Sequence, residues 1–98
     1  MTNLTEITDY IRGRASKEPL FGGKLKFVFP SGTLMIDGTG TENIVSNDDL
    51  PADCTLRMNM RTFNRIHDGK TDAIVAFMFG KIKLKGDTKL ALKLKSLI

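Results

Sequence analysis

The sequence predicts an α+β chain, five short strands with one apolar face together with several helices. Three observations point there. Several short segments alternate apolar and polar residues with period two, others repeat apolar residues at helical spacing, and tight turns join the first strands into an antiparallel meander. The chain has 98 residues, 41% apolar and 27% charged, which suits one domain over residues 1–98 with a core of its own.

The elements follow in order. Asn3 and Glu6 have the spacing of a capping box, and Leu4, Ile7 and Ile11 recur on one helical face. Glu6 and Asp9 lie early and Arg12 and Arg14 late, as the helix dipole favours, so a helix is expected from Leu4 to Ala15. Pro19, Gly22 and Gly23 end that pattern. From Lys24 the period becomes two, with Leu25, Phe27 and Phe29 on one face and Lys24, Lys26 and Val28 on the other. The turn Pro30-Ser31-Gly32 leads into a second strand carrying Leu34 and Ile36, and Asp37-Gly38-Thr39-Gly40 into a third over residues 41–46. After the loop Asn47-Asp48-Asp49-Leu50-Pro51, Cys54, Leu56 and Met58 alternate with Thr55 and Arg57 in a fourth strand.

Asn59 is a natural N-cap for a helix bearing Met60, Phe63 and Ile66, and Gly69 suits its C′ position. A short helix is expected over residues 72–78, with Thr71 as its cap. It has no polar face after Asp72, because residues 73–79 are all apolar, so it must be covered on every side or face something other than water. Lys81 to Lys85 alternates as a fifth strand. The segment 89–98 fits two templates: Leu90, Leu92 and Leu94 suit a strand, and Leu90, Leu94 and Leu97 suit a helix capped by Asp87. Helix is preferred, since Leu, Ala and Lys are good helix formers.

The net charge of +4 is unevenly placed. Six lysines (Lys81, Lys83, Lys85, Lys89, Lys93 and Lys95) stand against a single acid, Asp87, in the last eighteen residues. Such a tail raises nucleic acid or an anionic membrane as partners. The lysine strand has no aromatic residue and the tail no arginine, which argues against specific nucleic-acid binding. A solvated strand face whose lysines discourage edge pairing is the plainer reading, with transient contact to an anionic membrane next.

Signatures of catalysis are thin. The single histidine, His67, reads as a solvated cation near a helix end, and Asp68 beside it in sequence is not expected to face it. Cys54 falls on the apolar face of a strand and reads as a small buried hydrophobe. Asp48, Asp49 and Asp53 lack calcium-loop spacing, one His and one Cys do not make a metal site, and Gly38 and Gly40 separate two strands rather than opening a helix. No catalytic residue, metal or cofactor is therefore expected. Met58, Met60, Phe63, Phe77, Met78 and Phe79 form an adaptable apolar group, which suits ordinary core or, alternatively, a ligand cavity. A lone cysteine points to a reducing compartment, the apolar run 73–79 is far too short to span a bilayer, and the N-terminus lacks the features of a signal peptide.

The run Ala76-Phe77-Met78-Phe79-Gly80-Lys81-Ile82-Lys83-Leu84-Lys85-Gly86-Asp87, followed by Leu90-Ala91-Leu92-Lys93-Leu94, resembles the signature of the sterol carrier protein 2 family of lipid-transfer domains. Upstream, Ala52-Asp53-Cys54-Thr55-Leu56 and Gly69-Lys70 are similar to the family's corresponding segments. Phe79 stands where the family often has Ser, which would alter packing or the cavity mouth. The resemblance implies an α+β fold, a five-stranded sheet with helices packed on one face and an apolar tunnel between the layers, a helical last segment, and non-catalytic binding and transfer of a sterol, fatty acid, fatty acyl-CoA or phospholipid. The expected lipid-binding residues are Ile74, Phe77, Met78, Leu84, Leu90, Leu94 and Leu97. An alternative is an accessory module that presents a lipid or isoprenoid-quinone intermediate to biosynthetic enzymes. The C-terminal Lys95-Ser96-Leu97-Ile98 is not a Ser-Lys-Leu peroxisomal signal, so a cytoplasmic, bacterial carrier is expected.

Overall fold

Lys24–Phe29 (β1) runs through the centre of a five-stranded sheet and pairs on both sides. A computed structural model describes residues 1–98. Gly32–Asp37 (β2) pairs antiparallel with β1, and Ile44–Ser46 (β3) pairs antiparallel with β2 at one edge. On the other side Cys54–Arg57 (β4) runs parallel to β1, and Lys83–Gly86 (β5) closes the second edge antiparallel to β4. The expected meander is present, while the parallel β1–β4 pairing makes the sheet mixed.

One face of the sheet carries Leu25, Phe27, Phe29, Leu34, Ile36, Cys54 and Leu56, all buried. Leu4–Ala15 (α1) covers part of it with Ile7, Ile11 and Ala15. Met60–His67 (α2) adds Phe63, whose ring meets Phe29 edge-on at 6.0 Å, while Phe29 stacks on Phe27 at 6.3 Å. Thr88–Ala91 (α4) and Leu94–Leu97 (α5) contribute Leu90, Leu94 and Leu97. On the opposite face the loop after β3 lies against Met35, whose sulfur accepts the Leu50 N–H, and is held by Lys26 Nζ, which donates to Asp49 Oδ1 and the Leu50 carbonyl, both at 2.9 Å.

Local chemistry explains where elements begin and end. Asn3 Oδ1 accepts the Glu6 N–H at 2.9 Å, but the Glu6 carboxylate bonds Thr2 rather than completing a capping box with Asn3. Asn59 caps α2 through the Thr62 N–H at 2.8 Å. Ala73–Met78 (α3) is capped by Asp72, which accepts the Ile74 N–H at 2.7 Å; the expected cap, Thr71, lies one residue outside. Helices α2 and α3 end alike: Gly69 and Gly80 adopt positive φ, and the N–H of the following lysine returns to the carbonyl of Arg65 or Ala76 at 2.8 Å. Because Lys81 is committed to this turn, β5 starts at Lys83 rather than Lys81. Strand β3 is likewise shorter than expected, because Asn43 leaves the ladder. Its amide donates to the carbonyls of Ala15, Glu18 and Pro19 and accepts the Phe21 N–H.

The last segment is helical as expected, but in two single turns. Hydrogen bonds of the i→i−3 kind, from Lys93 to Leu90 and Ser96 to Lys93, tighten the join. Leu90, Leu94 and Leu97 stay inward while Leu92 is 61% exposed.

Candidate functional site

Helix α3 is held to the body by little more than its own ends and Ala76, its one buried residue. The expectation of an all-round apolar helix is met in sequence, but it is not covered: Ile74, Val75, Phe77, Met78 and the following Phe79 are all exposed.

Between α3, the outer sheet strands and the α4–α5 bend lies an open cleft of about 240 Å³. Leu56 of β4 and Leu84 of β5 form its floor. Ala73, Ile74 and Phe77 form one wall with Ile82, and Ala91, Leu92 and Leu94 the other. Thr88 and Lys95 are its only polar lining residues. Strand alternation explains the floor: Leu84 points to the helices, and Lys83 and Lys85 point away. The apolar space expected between the layers is thus a cleft open to solvent, with Ile74 and Phe77 about half exposed at its rim.

Four of the seven residues expected to bind lipid meet here: Ile74, Phe77, Leu84 and Leu94. The other three lie elsewhere. Met78 is 75% exposed on the outer side of α3, and Leu97 is fully enclosed in the core. Leu90 turns to a separate hollow beside Phe21, Gly23 and Asp53, so close to Gly23 that a side chain there would strike it. Leu56, Ala73, Ile82, Ala91 and Leu92 were not among the expected residues. The register that sets Leu56 against Leu84 explains the first, and the tightened α4–α5 join explains the last. Phe79 does not line this cleft; it lies on the far side of α3.

Three features bear on catalysis. His67 Nδ1 lies 3.1 Å from Asp68 Oδ1, which corrects the expectation that the two do not face one another; their ring-to-carboxylate contact closes across adjacent residues at the α2 terminus, where the chain has left helical geometry. The His67 ring also meets Tyr10 edge-on at 4.8 Å, and neither His67 nor Asp68 lines the cleft. Cys54 is buried, and burial pushes its thiol pKa up, with the charge of Asp87 adding to the effect. No three His, Cys, Asp or Glu side chains gather as metal ligands.

Residues 17–98 match the model of the SCP-2 sterol transfer family. The chain belongs to that family. It is 38% identical over 58 residues to human sterol carrier protein 2, a match spanning 59% of this chain and 11% of that protein. The chain therefore spans about a tenth of the curated relatives it matches. Among solved structures it is similar to sterol carrier protein 2 from Yarrowia lipolytica in its apo form, with a TM-score of 0.75 at 22% identity over 93% of this chain and 88% of that one. It is also similar to the UbiJ-SCP2 ubiquinone synthesis protein, with a TM-score of 0.71 at 16% identity over 95% and 90% of the two chains. At these identities the structural likeness concerns the SCP-2 fold, and no helix of this member is long and apolar enough to cross a membrane.

Proposed function

We propose that this domain is a non-catalytic lipid carrier that holds the apolar body of a fatty acid, fatty acyl-CoA, sterol or phospholipid in the α3 cleft. The observation that carries this reading is the cleft itself, in which nine of eleven lining residues are hydrophobic. Each methylene leaving water for such a surface contributes about 0.8 kcal/mol, before the costs of association and ordering. The volume of about 240 Å³ lies just below the roughly 300–1,000 Å³ typical of small-molecule sites, so a long chain requires α3 to move outward. A helix anchored through one alanine is suited to that movement. A free, buried Cys54 fits a reducing, cytoplasmic setting.

The test is native mass spectrometry of protein purified from cells, followed by titration of delipidated protein with a fluorescent fatty acid. Retained lipid and saturable binding support the carrier, and absence of both overturns it. A second reading, an accessory module that presents an isoprenoid-quinone intermediate to biosynthetic enzymes, is favoured by the likeness to the ubiquinone synthesis protein. A prenylated aromatic ligand copurifying with the chain, together with capture of quinone-modifying enzymes, would select it over the general carrier.

A further inference from the structure

The far side of α3 borders a second hollow, of about 550 Å³, closed on its other side by α2. Arg61 and Arg65 line it from positions one turn apart on α2. Lys81 lines it from just past the glycine turn that ends α3, where its N–H returns to the Ala76 carbonyl. No acid lines the hollow, and none of the three cations forms an ion pair; the protein's ion pairs are Arg12–Asp9, Lys26–Asp49 and His67–Asp68. The apolar part of the lining includes Val75 and Phe79. The Phe79 ring is 77% exposed and has no partner: the rings that meet are Tyr10–His67, Phe27–Phe29 and Phe29–Phe63, and the lysine over a ring is Lys93 at Phe21.

We infer that this hollow binds a soluble nucleotide carrying two or more phosphates, and that the bound nucleotide clamps α3 to α2. Charge selects the phosphates. Arginine pairs phosphate oxygens through a planar fork, and a single phosphate ester, at about −1.5 to −2, leaves part of three positive charges unmatched, whereas a diphosphate takes up all three. The free Phe79 ring selects the rest of the ligand, because it offers a face on which a base can stack. The volume of the hollow falls within the roughly 300–1,000 Å³ of small-molecule sites. The clamp follows from what each side is anchored to. Helix α2 is fixed through the fully buried Phe63, while α3 is held by Ala76 alone. A ligand that touches Arg61 and Arg65 on one side and Phe79 and Lys81 on the other holds α3 inward, in the position that a long lipid chain must displace. Nucleotide and lipid therefore weaken one another by the same factor. The site stands on the hollow; its opposition to lipid rests on the carrier reading.

Calorimetric titration of the full chain with ADP and with pyrophosphate, at constant ionic strength, tests this. Both should bind saturably, ADP the more tightly. Arg61→Gln with Arg65→Gln should weaken ADP binding by about a hundredfold, roughly tenfold for each charged hydrogen bond lost. Lys85→Gln with Lys89→Gln removes the same charge from residues lining neither this hollow nor the cleft, and should cost far less. Phe79→Ala should weaken ADP binding about fivefold or more and leave pyrophosphate unchanged. Equal losses from the two charge pairs, no saturable binding of either probe, or glycerol 3-phosphate binding as tightly as ADP would overturn the site, the last by making it a site for a lipid head group. For the clamp, saturating ADP should raise the dissociation constant of a fluorescent fatty acid about fivefold or more in the parent and not in the arginine variant. Fatty-acid affinity that ignores bound ADP would overturn the clamp. Saturable ADP binding by a chain that takes up no fatty acid would support the site and overturn the carrier reading.

Discussion

Leu84 of β5 stands directly across from Leu56 of β4, and the pair floors the apolar cleft. Leu56 is only 1% exposed, whereas Leu84 is half-buried, so the two separate binding from folding. Leu84→Gln places an amide under the ligand's apolar body, where it lacks a partner. An unpaired polar group costs about 1–3 kcal/mol, and fatty-acid affinity should fall about tenfold or more. Circular dichroism should remain native. Fluorescent fatty-acid titration checks this, and undiminished affinity would place the ligand elsewhere.

Leu97 and Met78 share apolar character and differ in surroundings. Leu97 has no exposed surface, and Met78 is 75% exposed. Leu97→Ala should destabilise the domain by about 2–5 kcal/mol in urea denaturation, the usual cost of emptying a closely packed site. Met78→Ala should change stability by no more than about 0.5 kcal/mol. Similar losses from the two substitutions would contradict their placement.

The local elements of the fold were legible because their signals are local. Leu25, Phe27 and Phe29 alternate on β1, and Asn3 and Asn59 accept the N–H groups expected of caps. Long-range choices left no such trace. Nothing in the composition of Cys54–Arg57 says that it pairs parallel with β1, because strand propensity does not specify a neighbour. The site was half legible for the same reason. Phe77 and Leu84 follow from their periods, but Leu90, Leu92 and Leu97 depend on a tightened turn between α4 and α5 that shifts which side chains face the cleft. The exposure of Phe77, Met78 and Phe79 was not legible either, since an apolar run reads alike whether it is covered by the protein or left for a partner.

Gly86 admits no side chain. Its φ is +104°, and a Cβ would collide with the backbone carbonyl of Asp53. That carbonyl also accepts the Asp87 N–H at 2.8 Å, and the Asp53 carboxylate accepts the Lys24 N–H at 2.8 Å, so one residue ties β1, β4 and the start of α4. Gly86→Ala should destabilise by at least about 2 kcal/mol, from unfavourable φ together with the clash. It should also weaken fatty-acid binding, because β5 carries Leu84. Urea denaturation and ligand titration on the same sample check both effects.

Asp37 predicts part of the acid sensitivity. Its carboxylate accepts the Thr39 hydroxyl at 2.5 Å and the Thr39 N–H at 3.0 Å, and these bonds, with a smaller contribution from Lys24, hold its pKa below the ordinary aspartate value. A depressed folded-state pKa gives stabilisation that is present above the unfolded value and is lost as pH falls through the folded one. Asp37→Asn should therefore be less stable than the parent at neutral pH, and the gap should close in acid. A gap constant from neutral to strongly acidic pH would contradict this.

Cys54 lies opposite Gly86 in the β4–β5 register, which makes the thiol a reporter on that edge of the sheet. Burial raises its pKa, and the negative charge of Asp87 raises it further, so the folded protein keeps the unreactive thiol form at neutral pH. A raised folded-state pKa contributes stability that is present below the unfolded value and lost as pH rises through the folded one, so stability should decline on the alkaline side. Modification by a thiol reagent in native buffer should be slower than in denaturant by about a thousandfold or more, because the thiol becomes available only on opening. Gly86→Ala should speed the native reaction by loosening β5, while Met78→Ala, at an exposed residue outside that strand pairing, should leave it unchanged. Fast labelling of the native parent would show that β5 does not shield Cys54.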